Sequence, residues 1–150
     1  MKTLIIYISV HHGNTEKIGK VIAEALNADM VKAKDLNLDD LCSYDLIGFG
    51  SGIYMSKFHK SITDLIENMP ILSDKKAFVF STSGMGKIEY NKPLEKKLEE
   101  KRFKVIGSFA CKGFDTVGPF KLIGGIAKGR PNDEDIQKAK EWGLTLGKNY

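Results

Sequence analysis

The sequence predicts a doubly wound α/β fold on a five-stranded parallel sheet. Two observations carry that expectation. Apolar, β-rich runs alternate with segments of helical spacing from one end of the chain to the other. Parallel neighbours need crossover connections, which are nearly always right-handed and lay helices on both faces of the sheet. At 150 residues the chain has the length of one domain, so residues 1–150 are expected to fold as a single unit. Its 42% hydrophobic content is enough to fill one core and excludes an intrinsically disordered chain.

Each element follows from its local pattern. Residues 2–9 contain Leu4, Ile5, Ile6, Tyr7 and Ile8 in succession, a first strand, and residues 14–26 place Ile18, Val21, Ile22, Ala25 and Leu26 at helical spacing. The period switches at Gly13. A short second strand is expected over 30–33, followed by a polar stretch in which Leu36, Leu38 and Leu41 pack loosely. Residues 45–50 read as a third strand and 57–68 as a helix with Ile62, Leu65 and Ile66 inward. Residues 76–81 give a fourth strand, and 93–101 a charged helix opened by Pro93 at a position that tolerates proline. Residues 103–111 make the fifth strand. A last helix, 133–146, starts with Asp133, Glu134 and Asp135 at the positive end of its dipole. Trp142, at helical spacing with Ile136 and Ala139, reads as core.

Ligands of such folds bind beyond the carboxyl ends of the strands, where strand order reverses. The loops of interest are therefore 9–15, 51–57, 82–90 and 112–130. The first combines a glycine turn, the hydroxyls of Ser9 and Thr15, and backbone amides opening a helix. Those parts suit a phosphate dianion without any lysine or arginine. Capping of the helix by Asn14 or Thr15 explains the same residues, and local sequence leaves both readings open. A triphosphate loop is disfavoured because GxxxxGK[ST] is absent, and a dinucleotide fold because no GxGxxG follows the first strand. A phosphoacceptor domain of this architecture needs acidic residues where His11 and His12 stand.

Composition narrows the setting. Cys42 and Cys111 are far apart in sequence, which excludes a disulfide framework and a cysteine-rich zinc site; no metal is expected, and a reducing, cytoplasmic location is favoured. The early apolar run is too short for a signal peptide, and no stretch reaches the roughly 20 residues of a membrane span. The net charge of +4 is uneven: residues 84–130 carry 11 basic and 5 acidic groups, whereas 1–83 carry 9 and 10. Such a segment suits an anionic partner. Nucleic acid is disfavoured as a partner, since aromatic interleaving is sparse and no recognised motif is present.

Ser9-x-x-x-Gly13-x-Thr15 after a first strand resembles the FMN phosphate loop of the flavodoxins. A second stretch, Ser51-Gly52-Ile53-Tyr54-Met55-Ser56-Lys57-Phe58-His59, is similar to the Ser-x-x-Tyr/Met-x-x-x-His pattern of a short-chain branch that includes the flavodoxin-like protoporphyrinogen oxidases. In element order the resemblance covers essentially the whole chain. It implies strand order 2-1-3-4-5 and an FMN cofactor across the ends of strands one, three and four. Ser9, His11, His12, Gly13, Asn14 and Thr15 would wrap the phosphate. Ser51 opens the second loop, where Gly52 would adopt backbone angles closed to other residues, with Ile53 and Tyr54 along the isoalloxazine. Thr82, Ser83, Gly84, Met85 and Gly86 would meet the pyrimidine edge. His59 is the candidate catalytic group, as a proton donor beside the flavin; a helix cap is its other reading.

The chain departs from the flavodoxin pattern in two places. His11 and His12 replace small residues, so FMN is expected to bind less tightly toward alkaline pH. Met85 stands where an aromatic ring is usual and leaves one flavin face open. The glycine-rich segment 112–130, with Phe114, Phe120, Lys112, Lys121, Lys128 and Arg130, is long for a compact domain and is expected to be a lid or a docking surface, with a short helix over 122–127. The functional expectation is an FMN-binding redox protein: an electron carrier for a redox protein partner, or a small oxidoreductase acting on an anionic or aromatic substrate of quinone or porphyrin type. The alternative is a non-redox binding module of the same fold that uses its basic 112–130 loop.

Overall fold

The computed structural model describes residues 1–149. In chain order they form β1 (Thr3–Tyr7), α1 (Asn14–Leu26), β2 (Asp29–Lys32), β3 (Leu46–Tyr54), β4 (Lys57–Phe58), α2 (Lys60–Asn68), β5 (Lys76–Ser83), α3 (Lys92–Glu100), β6 (Lys104–Lys112) and α4 (Asp133–Lys148). Five strands pair in parallel in the order β2-β1-β3-β5-β6. With the two-residue β4 set aside, this is the expected 2-1-3-4-5 order. β1 is buried at every position, as a central strand covered on both faces must be.

Alternate residues supply two cores. Leu4, Ile6, Ile47, Phe49 and Val79 meet Ile62 and Ile66 of α2 and Leu94 and Leu98 of α3. On the other face Ile5, Leu46, Phe78 and Phe80 meet Ile18 and Ile22 of α1 and Ala139 and Leu146 of α4. Each fully buried isoleucine contributes about 1.5–3 kcal/mol. On this second face β3 carries glycine: Gly48 stands beside Phe78 and Gly50 beside Phe80 in the parallel register. Both phenyl rings lie across β3, in the space that a Cβ on either glycine would take.

Several boundaries differ from expectation. β3 runs four residues further, to Tyr54, and folds back through Met55 and Ser56 to pair with β4. Residues 57–59 therefore precede the helix instead of opening it. Leu41, expected to pack loosely, is wholly buried in the α2/α3 core, held by a 3-10 turn over Leu38–Ser43. The short helix expected over 122–127 is replaced by a 3-10 turn at Gly118–Ile123. Trp142 is half-buried and edge-on to Phe78 at 5.6 Å.

α4 is anchored at its start. The Asn132 side chain accepts from Asp135 N–H and the Asp135 carboxylate accepts from Asn132 N–H, a reciprocal cap. The same carboxylate accepts two bonds from Arg130, at 2.5 and 2.6 Å. Arg130 holds the Asp135 carboxyl below the usual carboxylate range against the opposing effect of burial. A depressed carboxyl contributes stability above its unfolded value, so this contribution is complete above about pH 4 and is withdrawn as the pH falls below it. Asp135→Asn should lower the melting temperature at pH 7 and flatten its acid dependence in calorimetry; an unchanged acid limb would show that the pair does not act. Gly48→Ala and Gly50→Ala should each cost about 1–3 kcal/mol in denaturant unfolding, because the Phe78 and Phe80 rings must move.

Candidate functional site

Because the parallel strands share one direction, the loops after β1, β3, β5 and β6 all open on one edge of the sheet. In the first, His12 (φ 58°) and Gly13 (φ 67°) are both left-handed, and the N-cap of α1 is Gly13, which has no side chain with which to cap it. Capping by Asn14 or Thr15 is thus not what these residues do. Asn14 Nδ2 donates to Phe114 O across 2.9 Å, and Thr15 Oγ1 pairs with Thr82 Oγ1 at 2.9 Å, both hydroxyls buried. Ser9 Oγ accepts from Glu16 N–H at 3.2 Å. The first turn is backed by Tyr7, whose hydroxyl donates to Glu16 at 2.6 Å; burial, then this bond, pushes Tyr7 up to about 12. The same bond lowers the Glu16 carboxyl.

The second loop is built differently from its sequence expectation. Gly52 is extended and stands beside Thr82 in the sheet, so it takes no special backbone angles. The left-handed residues are Met55 (φ 50°) and Ser56 (φ 67°) at the hairpin tip. What Gly52 supplies is space: a Cβ there would lie 3.2 Å from Tyr54 Oη, whose ring folds over it. That ring faces His11 at 6.1 Å and His59 at 5.3 Å, and burial, with the Asp115 carboxylate, raises its hydroxyl. Ile53 is buried at the cleft wall. Ser51 Oγ accepts from His59 N–H at 3.1 Å.

His59 is the N-cap of α2. Its Nδ1 accepts from Ser61 N–H at 3.1 Å and lies 2.8 Å from Ser61 Oγ. An acceptor at Nδ1 puts the neutral ring's hydrogen on Nε2. That geometry meets the helix-cap reading of His59 and leaves Nε2–H as the ring's donor.

In the third loop Ser83 Oγ accepts from Gly86 N–H at 2.8 Å and closes the turn. Gly84 serves the segment after β6: a Cβ there would fall 2.6 Å from Ile126 Cγ1 and 3.0 Å from Asp115 Cβ. Gly86 (φ 64°) lies against Lys112 in the same way. Both glycines were expected to approach a flavin. Their missing side chains make room for the 112–130 loop, which Asp115 and Ile126 brace by exchanging backbone bonds at 3.0 and 2.9 Å. His12 turns toward that loop as well, with Nε2 3.1 Å from Thr116 Oγ1 and its ring 4.4 Å from Phe114. Gly113, Phe114, Asp115 and Thr116 were missed as site residues. Their sequence signal was that of the whole 112–130 loop, its place after the fifth strand and its glycine density, with nothing that singled out these four.

These loops enclose a cleft of about 260 Å³, with walls that include Ile53, Ser83, Met85, Tyr90, Val117 and Phe120. A hollow of about 30 Å³, lined by His11, Asn14, Thr15, Tyr54, Thr82 and Asp115 among others, lies toward the first loop. Polar groups and the start of α1 occupy one end, and apolar walls the other. A model of the flavodoxin domain matches residues 4–113. The chain belongs to the flavodoxin domain family. Membership implies FMN as the cofactor and a redox fold. An uncharacterized protein of Methanocaldococcus jannaschii is 50% identical over 99% of this chain and 100% of its own length. A flavodoxin from the domain Archaea superposes with TM-score 0.75 at 17% identity over 99% of this chain and 97% of that one. The two-electron reduced Megasphaera elsdenii flavodoxin gives 0.66 at 25% over 97% and 98%. The site fits such a group: consecutive left-handed residues lead into a helix whose N-cap is a glycine, a start that presents amides to a dianion, and the neighbouring cleft has apolar walls for a flat ring.

Because the Thr15 and Thr82 hydroxyls are each other's partner, their effects on FMN binding should not add. Thr15→Ala and Thr82→Ala should each weaken FMN by about 1–3 kcal/mol in fluorescence titration, and the double variant by less than the sum. Full additivity would mean that the two act separately.

Proposed function

We propose that residues 1–150 act as one FMN-binding domain that carries electrons for a redox protein partner in the cytoplasm. The observation that carries this reading is the juxtaposition of the left-handed His12-Gly13 turn at the start of α1 with the apolar cleft. Ser9, His11, Gly13, Asn14 and Thr15 would hold the phosphate end, with His12 bracing the loop through Thr116. Gly52, Ile53 and Tyr54 would flank the ring from β3, and Thr82, Ser83, Gly84, Met85 and Gly86 from β5, where the hydroxyls of Thr82 and Ser83 give polar contacts. Bound FMN supplies the redox chemistry, and the protein supplies binding, orientation and electrostatics. Two free cysteines, one exposed and one buried, suit a reducing compartment. No helix among the described residues is long and apolar enough to cross a membrane.

A second reading is a small oxidoreductase of the branch that includes the protoporphyrinogen oxidases, acting on a flat aromatic substrate of quinone or porphyrin type. One observation favours it: Met85 is 50% exposed at the cleft edge, where a flexible thioether leaves room for a substrate ring. In that case His59 Nε2 would hold a hydrogen bond beside the flavin.

Protein mixed with FMN and desalted should retain visible flavin bands; a colourless protein with no fluorescence quenching in titration overturns the cofactor assignment. In quinone reduction with NADPH, the carrier reading expects turnover only when a separate reductase and a protein acceptor are present. Direct quinone turnover by the purified protein would establish the second reading in its place.

A further inference from the structure

The rim of the cleft carries apolar side chains that nothing in the fold covers. Leu122 is 88% exposed, Met55 75%, Ile123 70% and Met85 50%. They belong to three segments that meet: the β3–β4 hairpin tip, the loop after β5, and the 3-10 turn at Gly118–Ile123. A Cβ on Gly118 would lie 3.6 Å from Met55 Sδ, so the turn and the hairpin touch. Pro119 and Phe120 of the turn line the cleft together with Met55 and Met85. Met55 and Met85 therefore border the cleft that would hold the flavin ring, and Leu122 and Ile123 continue the turn whose Pro119 and Phe120 line it.

Around them stand Lys57, Lys87, Lys112, Lys121 and Lys128, all exposed. None of these forms an ion pair among the described residues. The nearby acids are few: Glu89 is exposed, and Asp115 accepts from Val117 N–H at 2.8 Å. An aliphatic centre with a charged rim is the anatomy of a transient protein interface, and a rim of one sign selects a partner of the other. The exposed centre holds no stacking ring, because Phe114 faces His12 and Phe120 lines the cleft. That disfavours single-stranded nucleic acid, which binds by base stacking. A six-residue 3-10 turn is too short for the amphipathic helix that settles on a lipid surface.

We propose that this rim is the docking surface for an acidic electron-transfer protein, with Leu122, Ile123, Met55 and Met85 at the centre of contact and the five lysines steering approach. The partner's class rests on the electron-carrier reading above; the surface and the sign of its charge do not.

The test is a titration of ¹⁵N-labelled, FMN-treated protein with an acidic plant-type [2Fe–2S] ferredoxin as probe, and with a basic cytochrome c as its counterpart. Ferredoxin should shift the amides of the hairpin tip, the loop after β5 and the 118–124 turn, with Kd rising about tenfold between about 20 and about 200 mM salt. Lys121→Glu with Lys128→Glu, and separately Leu122→Ser with Ile123→Ser, should each raise Kd about tenfold while the circular dichroism of the fold is unchanged. Cytochrome c should leave the patch unshifted. Ferredoxin shifts that are absent, elsewhere or independent of salt overturn the proposal, as does binding of cytochrome c, anionic vesicles or RNA to this patch in its place. The visible spectrum of the same sample reports FMN separately: missing flavin bands count against the cofactor assignment, while the amide shifts still decide the docking surface.

Discussion

The bare face of β3 sets the rest of the structure. Gly48, Gly50 and Gly52 alternate along one side of that central strand, and three aromatic rings take the space they leave: Phe78, Phe80 and Tyr54. The two phenyl rings let α1 lie close to the sheet, where Gly19 answers with an equally small side; a Cβ there would come within 3.3 Å of Phe80 Cζ. Tyr54 extends the series past the end of the buried sheet and reaches His11 and His59. A single run of small residues thus fixes both the seat of the first helix and the aromatic wall of the site. The helix start that faces the phosphate is held from the same side by the buried Thr15–Thr82 hydroxyl pair, which joins α1 to the end of β5.

The strands and helices were legible because they depend on period, whereas their order in the sheet was an implication of the resemblance to the flavodoxins. Runs such as Leu4 to Ile8 and the spacing of Ile18, Ile22 and Leu26 leave little choice. The ends of β3 were not, because Ser51 to Tyr54 contains a glycine and a serine that read as a loop, while pairing with β5 and the hairpin to β4 keep it extended. Gly48, Gly50 and Gly52 form a two-residue period in the sequence. Its meaning depends on the aromatic residues of β5, which lie about thirty positions on and become neighbours only through the parallel register.

At the site, residue types were easier to find than roles. Ser9, Thr15, Thr82 and Ser83 are all at the carboxyl edge, yet their hydroxyls bond to one another or to nearby amides and thereby shape the loops. His12, Asn14 and Gly84 all turn toward the segment after β6. The His12 and Asn14 contacts join positions about a hundred residues apart, and neither side carries a local pattern that announces them. The uneven charge was plain in the sequence. What the fold adds is an apolar centre for the lysines to surround.

The two thiols end in opposite surroundings. Cys111, on β6, is buried, and burial, with the Asp135 carboxylate, pushes its thiol up to about 12. Cys42 is exposed in the 3-10 turn that precedes β3, at the amino edge of the sheet and so away from the loops that form the cleft. Thiolate, not thiol, is the attacking form, so a maleimide or a spin label has one address on the folded chain. A reporter can be attached there without cysteine mutagenesis, at the end of the sheet where it would not obstruct a cofactor or a partner.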